Sequence, residues 1–339
     1  MKKMCIYFIS VSISTCPKFL YIYQNLYKET LLIFVTTMKR KIIKLGQATY
    51  VLSLPSSWIR KFELDKGDYL DVQEKGNMIV ASTQEQKERR KAVVNMPPKK
   101  DFLQRLVCNP YRIGYDEIRF NFNDPNVFPA IQECSKKLMG FEIVEQAKNY
   151  CIMRNVASNL ENEMDNIFKR IFFILASLLD ELVMASKQSD FTQLAKIKHM
   201  EAAVDRLKLF CERIINTKSN TDYHDSFSLI TLEALEQIGD LIRNISIEML
   251  NLKKASSIVQ ASLIGAKDLY DRFFRSYYKS NLSDLVKFKH GCDKITIELK
   301  KDIKSVHKSE ILIIGYILWM IDLMRQVAPG LHLIEENEG

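Results

Sequence analysis

From Ser158 onward the chain is amphipathic and almost free of proline until Pro329, and this restricts its fold more than any other feature. Long stretches at about 160–187, 191–218 and 225–252 are separated by polar breaks at Gln188-Ser189-Asp190 and Ser219-Asn220-Thr221. Three more follow at about 257–279, 282–307 and 310–333. Helices joined by short loops pack as antiparallel neighbours, so the pattern predicts two tandem three-helix bundles, over 157–253 and 254–335. The third stretch, LEALEQIGDLIRNISIEM at 232–249, is the most explicit. Stepping about 100° per residue puts Leu235, Ile238, Ile242, Ile245 and Met249 on one face, and Glu236, Asp240 and Asn244 on the other.

Carboxylates four apart share a helix face, so Glu201 and Asp205 on one helix and Glu236 and Asp240 on the next can meet between antiparallel neighbours. Four anions together repel unless a cation sits among them, and all-oxygen ligands favour magnesium, manganese, calcium or iron(III) over zinc. The same stripe is equally what a solvated bundle face looks like, and E-x-x-x-D spacing recurs at Glu161/Asp165 and Glu298/Asp302. The wording is more specific than the spacing. LEQIGDLIRNI, preceded one helix earlier by Glu201-Ala-Ala-Val-Asp205, resembles the E/DxxxD signatures of the PhoU family of phosphate-uptake regulators. The resemblance implies iron or another hard metal ion at Glu201, Asp205, Glu236 and Asp240, with Asn244 as an accessory ligand. The second bundle departs from the pattern. ILWMIDLMRQVAPGLHLI sets Asp322, Gln326 and Gly330 where Glu236, Asp240 and Asn244 stand, and KFKHGCDKITIEL supplies Asp293 alone. Gln326 carries no charge and Pro329 interrupts the helix, so one metal site is expected, in the first bundle. His290 and Cys292 read as core or surface residues rather than replacement ligands.

Before this region, 38–83 reads as strand, turn, strand, short helix and hairpin. Arg40 to Leu45 and Tyr50 to Leu54 are β-rich, Ser56 is placed to cap a helix running to about Phe62, and Lys66-Gly67-Asp68 and Lys75-Gly76-Asn77 mark turns. The succession RKIIKLG, YVLSLPSSWIRKFEL, DKGDYLDVQEKGNMIV resembles the AbrB (SpoVT-AbrB) family of swapped-hairpin DNA-binding domains. The resemblance implies a homodimer with interlocked hairpins that presents Lys39, Arg40, Lys41, Lys44 and Arg60 to DNA phosphates. Such folds also serve as plain dimerisation modules, and basic residues also protect sheet edges, so dimerisation without DNA contact stays open.

Residues 84–100, with QKERRK and Pro97-Pro98, read as a linker. Residues 101–156 read as a small α/β module, with a strand at Glu117–Phe122, a helix from about Asn126 to Met139, and paired strands near Phe141–Val144 and Tyr150–Met153. A similar piece joins the head and body in proteins that combine AbrB-like and PhoU-like parts. The fold class expected is therefore mixed and multidomain: a swapped-hairpin β domain, an α/β module, then mainly helix.

Residues 1–37 open with Lys2-Lys3 and an apolar run from Cys5 to Ile13 that is too short to span a bilayer and lacks a small-x-small cleavage site; the reading is an extension upstream of the working start at Met38. Seven cysteines, scattered and without a CxxC pair, argue against a zinc site or a disulfide framework and for reduced thiols in a cytoplasm. The net charge of +8 over 339 residues permits contact with nucleic acid without requiring it. No nucleophile motif and no histidine accompany the carboxylate stripe, which disfavours a two-metal phosphatase. The expectation is a non-enzymatic, dimeric regulator of phosphate uptake whose partners are DNA and a phosphate transporter or sensor kinase.

Overall fold

Strands β1 (Ile42–Leu45) and β2 (Thr49–Leu52) pair antiparallel, with Lys44 opposite Tyr50 and Ile42 opposite Leu52. A short helix α1 (Ser56–Lys61) follows, then a second hairpin of β3 (Leu70–Lys75) and β4 (Met78–Thr83). The computed structural model describes residues 39–46, 48–75, 78–83, 89–97, 102–157, 163–218, 223–279 and 281–328. The extension 1–37, Pro329 and Gly330 lie outside the described residues. The chain divides into two units between Gln86 and Lys87.

The first unit has the predicted element order, with one local correction. Pro55 rather than Ser56 stands at the N-cap of α1, and no side chain caps it. Proline fixes the extended entry to the helix, which leaves Ser56 to begin the first turn. Among the described residues of this unit none is buried. Ile43, Leu45 and Val51 on one face of the β1–β2 hairpin, and Ile42, Tyr50 and Leu52 on the other, are all exposed.

In the second unit, β5 (Lys91–Asn95), β6 (Glu117–Asn121), β8 (Tyr150–Asn155) and β7 (Phe141–Gln146) form a four-stranded sheet in the order β5-β6-β8-β7. Strand β5 corrects the linker reading of 84–100. The Lys91-Ala-Val-Val-Asn95 run is β-rich, but it is short, follows a dense charge run, and lies at a sheet edge where its side chains stay largely in solvent. Helices α2 (Leu103–Ile113) and α3 (Val127–Ser135) contribute to the same core, with Tyr111, Ile118, Phe120, Ile131 and Met153 fully buried. Helix α3 ends earlier than expected, before the turn at Lys136–Gly140.

The helical region consists of α4 (Met164–Gln188), a 3₁₀ turn (Thr192–Lys196) leading into α5 (Ile197–Thr217), α6 (Tyr223–Leu250), α7 (Ser257–Tyr278), α8 (Leu282–Asp302), a second 3₁₀ turn (Lys308–Glu310) and α9 (Ile311–Gln326). Helices α4, α5 and α6 pack on one another, as do α7, α8 and α9. Helix α4 also packs on α7, and α6 on α9, so a single apolar core runs through both sets, from Phe168 and Leu178 to Ile317 and Met324. Phe172 is central to it, with Tyr270, Phe273, Phe274, Tyr277 and Tyr278 around its ring. Among the described residues no helix is long and apolar enough to cross a membrane.

Helix α5 joins the two cores. Val204, Leu207 and Cys211 lie in the helical core, whereas Leu209 belongs to that of the α/β module. The buried Arg213 donates to the carbonyls of Tyr111 (3.0 Å) and Tyr115 (2.7 Å) and to Asp116 (2.7 Å). Those carbonyls lie at and just beyond the end of α2, where Gly114 takes φ of 99° and the Tyr115 N–H returns to the Pro110 carbonyl. A cation there complements the helix C-terminus, and an added Cβ on Gly114 would lie 2.6 Å from the Thr217 methyl.

Candidate functional site

The carboxylates of the EAAVD and LEQIGD segments lie at the seam between α5 and α6. Burial grades across the seam: Glu201 is 5% exposed, while the side chains of Glu236 and Asp240 are 27% and 40% exposed. Gly239 explains how Glu201 comes so deep. Its missing side chain leaves a notch against which the Glu201 stem lies, its Cγ 3.6 Å from where a Cβ would stand.

Arg243, one turn beyond Asp240, holds this end of the seam. Its Nη1 lies 2.6 Å from Asp240 and 3.1 Å from Glu201, so one guanidinium links the two helices. Burial pushes the Glu201 carboxyl up to about 7, the Asp205 charge adds to the rise, and Arg243 only partly offsets it. Burial alone would lower the Arg243 guanidinium, but Glu201 and Asp240 outweigh it and raise it.

Lys208 organises the other end. It lies 2.7 Å from Glu233, 3.5 Å from Glu236 and 3.9 Å from Glu212. Glu212 in turn meets Arg112 of α2 at 2.9 Å, extending the charges into the α/β module. Burial drives the Glu212 carboxyl up to about 7. Burial also raises Glu236, whereas for Glu233 burial is outweighed only by the hydrogen bond and charge of Lys208 acting together with Glu212 and Arg112, and its carboxyl is lowered. Asp205 faces Lys137 at 3.5 Å. Asn244 is half-buried on α6.

The four expected ligands are thus brought to one seam but paired with the chain's own cations. Among the described residues no group of three or more His, Cys, Asp and Glu side chains is arranged to hold a metal ion. The donor chemistry suits a hard cation, and the raised Glu201 and Glu236 carboxyls mark anions that burial disfavours; the geometry instead places Arg243 between Glu201 and Asp240. Arg243, Lys208, Glu212 and Glu233 were not among the residues singled out from the sequence. Helical spacing carries the signal: Arg243 stands three after Asp240, and Lys208 stands three after Asp205.

The second set of helices repeats the cross-helix link in a weaker form. Arg325 of α9 lies 3.4 Å from Asp293 of α8 and donates to Thr296, and Gln326 donates to Asp322 at 2.8 Å. Aligning the two arginines sets Asp322 beside Asp240 and Gln326 beside Asn244, one turn away from the register that opposes Asp322 to Glu236. In that alignment Leu318 and Ile297 stand where Glu236 and Asp205 do.

The expected DNA contacts lie in the first unit. Lys39, Arg40, Lys41, Lys44 and Arg60 are all exposed. Lys44 sits over the Tyr50 ring at 5.9 Å, and Arg60 reaches back to the Ser56 carbonyl at 3.4 Å.

No family model matches the chain. It is similar to a protein described as Toll-like receptor 4 from Pinctada imbricata, at 24% identity over 143 residues, which is 42% of this chain and 14% of that protein. The chain therefore matches only about one seventh of that relative's length, and the likeness assigns no residue of the seam a role.

Proposed function

We propose that this chain is a cytoplasmic, dimeric regulator of phosphate uptake that works by binding rather than catalysis. The reading rests on the α5–α6 seam, where the residues of EAAVD and LEQIGD, apart in sequence, stand against one another on neighbouring helices. In this reading the helices form two tandem three-helix bundles. The body would report phosphate status to a phosphate transporter or sensor kinase, and Glu201, Asp205, Glu236 and Asp240 would hold a hard cation in competition with Arg243, Lys208 and Lys137. When bound, such an ion would neutralise the buried carboxylates and brace α5 against α6.

The hairpin unit would interlock with a second copy. An isolated two-stranded hairpin is marginal in water, and here both faces of β1–β2 carry exposed apolar side chains that need a cover. The basic residues near β1 and on α1 would then contact DNA phosphates. The same exposed faces favour a second reading, in which the head only dimerises. Changing Arg40 and Lys44 to alanine separates the two: DNA contact requires weaker binding and a flatter salt dependence with the dimer intact, whereas dimerisation alone leaves no DNA affinity to lose. The regulatory reading itself is tested by metal content and by phosphate uptake in cells carrying the Glu236→Gln/Asp240→Asn chain. Uptake control that is indifferent to this double change would remove the seam from the mechanism.

A further inference from the structure

The α6–α7 connection faces the 3₁₀ turn before α9 across a cavity of about 750 Å³. Its size suits a small organic molecule. The lining combines two features that do not neutralise one another. Exposed Lys253 and Lys254 lie just before α7, with exposed His307 and Ser309 across from them. Beneath them Glu310 is only 3% exposed.

Glu310 is half-used. Its Oε1 accepts from the Ser256 N–H at 2.8 Å, while its buried Oε2 has no hydrogen-bond partner. A buried carboxylate oxygen without a donor is costly, and such groups mark places where something else supplies the bond. Helix α7 begins at the same point. Ser256 caps it by accepting from the Val259 N–H, and the earlier first-turn N–H groups, including that of Ser257, have no acceptor within the helix. These N–H groups and two lysines attract an anion, whereas Glu310 calls for a donor.

We propose that this cavity binds a small anion that also carries an N–H donor, its carboxylate or phosphate held by Lys253, Lys254 and the start of α7 and its donor held by Glu310. Amino acids and nucleotides share that chemistry. Neither the seam nor the head enters the argument, so the site stands or falls separately from the regulatory reading.

Calorimetry on the full chain with matched probes tests it: AMP against purine riboside 5′-monophosphate, which has neither the exocyclic amine nor an N1–H, and L-glutamate against 2-oxoglutarate, which lacks the ammonium. The expected result is binding by the donor-bearing member of one pair at least tenfold tighter than by its partner. The pair that responds identifies the source. Lys253→Ala/Lys254→Ala, both exposed, should weaken that probe at least tenfold, and Glu310→Gln, which keeps an acceptor for Ser256, should erase the preference within the pair. No binding by any of the four probes at about 10 mM, a concentration that substantially fills even millimolar sites, would overturn the proposal. Equal affinity within both pairs, inorganic phosphate binding as tightly as AMP, or an unchanged lysine double variant would also overturn it. Should Glu310→Gln not fold, judged by circular dichroism, the probe pairs and the lysine variant still decide.

Discussion

The α5–α6 seam and the α8–α9 seam are built alike and charged differently. In each, an arginine from the third helix of a set reaches an acid on the second: Arg243 to Glu201, and Arg325 to Asp293. The surroundings set them apart. The Glu201 side chain is 6% exposed, while that of Asp293 is 45% exposed. Arg243 also meets Asp240, and Asp205 and Glu236 lie along the same seam, whereas the matching places in the other seam hold Asp322, Ile297 and Leu318. Two seams can thus share the geometry of a link while buried charge is concentrated in only one of them. Burial raises carboxylate pKa values, so only a buried seam can respond strongly to protons or cations in the neutral range.

The largest expected effect comes from removing each arginine. Arg243→Ala leaves Glu201 buried without its partner and should cost about 2–3 kcal/mol near pH 8, while Arg325→Ala, between part-exposed groups, should cost less than about 1 kcal/mol. Urea unfolding of both variants measures the difference, and equal losses would break the contrast.

Next is the pH response. The Glu201 and Glu212 carboxyls lie near 7 in the fold, against an ordinary value of 4.5. Between those values the folded chain holds protons that the unfolded chain has released, so stability should fall as pH rises through that window, by up to about 3 kcal/mol per group. Glu201→Gln and Glu212→Gln should flatten the fall and leave the protein more stable at pH 8. A profile that stays steep in the double variant would place the titrating groups elsewhere.

A cation sharpens the same comparison. If the seam binds one, Glu236→Gln/Asp240→Asn should lower metal content and abolish any metal-dependent rise in melting temperature, while Asp322→Asn changes neither. Mass-spectrometric metal stoichiometry after identical purification reads this directly. Metal absent from the parent chain would make the seam a proton-sensitive ion-pair network alone.

The smallest effect concerns the glycines of α6 and α9. A Cβ on Gly315 would meet nothing within 4 Å, so Gly315→Ala should stabilise by about 0.5–1 kcal/mol through helix propensity. On Gly239 it would come within 3.3 Å of Leu175 and 3.6 Å of Glu201, so Gly239→Ala should gain less or lose. Thermal melts of the two variants compare them, and an equal gain would mean that the notch does not position Glu201.

Much of this architecture was legible in the chain. The apolar spacing of Leu235, Ile238, Ile242, Ile245 and Met249 names the buried face of α6, and all five are fully buried. The turn at Lys66-Gly67 in the head and the alternation of Ile118 and Phe120 likewise reach the structure, because such local patterns record where the chain reverses and which side of an element meets water. Strand β5 was hidden, since an edge strand needs no fully buried face to declare it. The candidate site was legible only by halves: the sequence placed Glu201 with Asp205, and Glu236 with Asp240, on shared helix faces. Which pair faces which cation depends on how far one helix slides past another, and the local pattern does not encode that offset. Only the tertiary structure seats Arg243 between Glu201 and Asp240, draws Arg112 across to Glu212, and turns a stripe that reads as solvated into part of a seam where burial raises the Glu201 and Glu236 carboxyls.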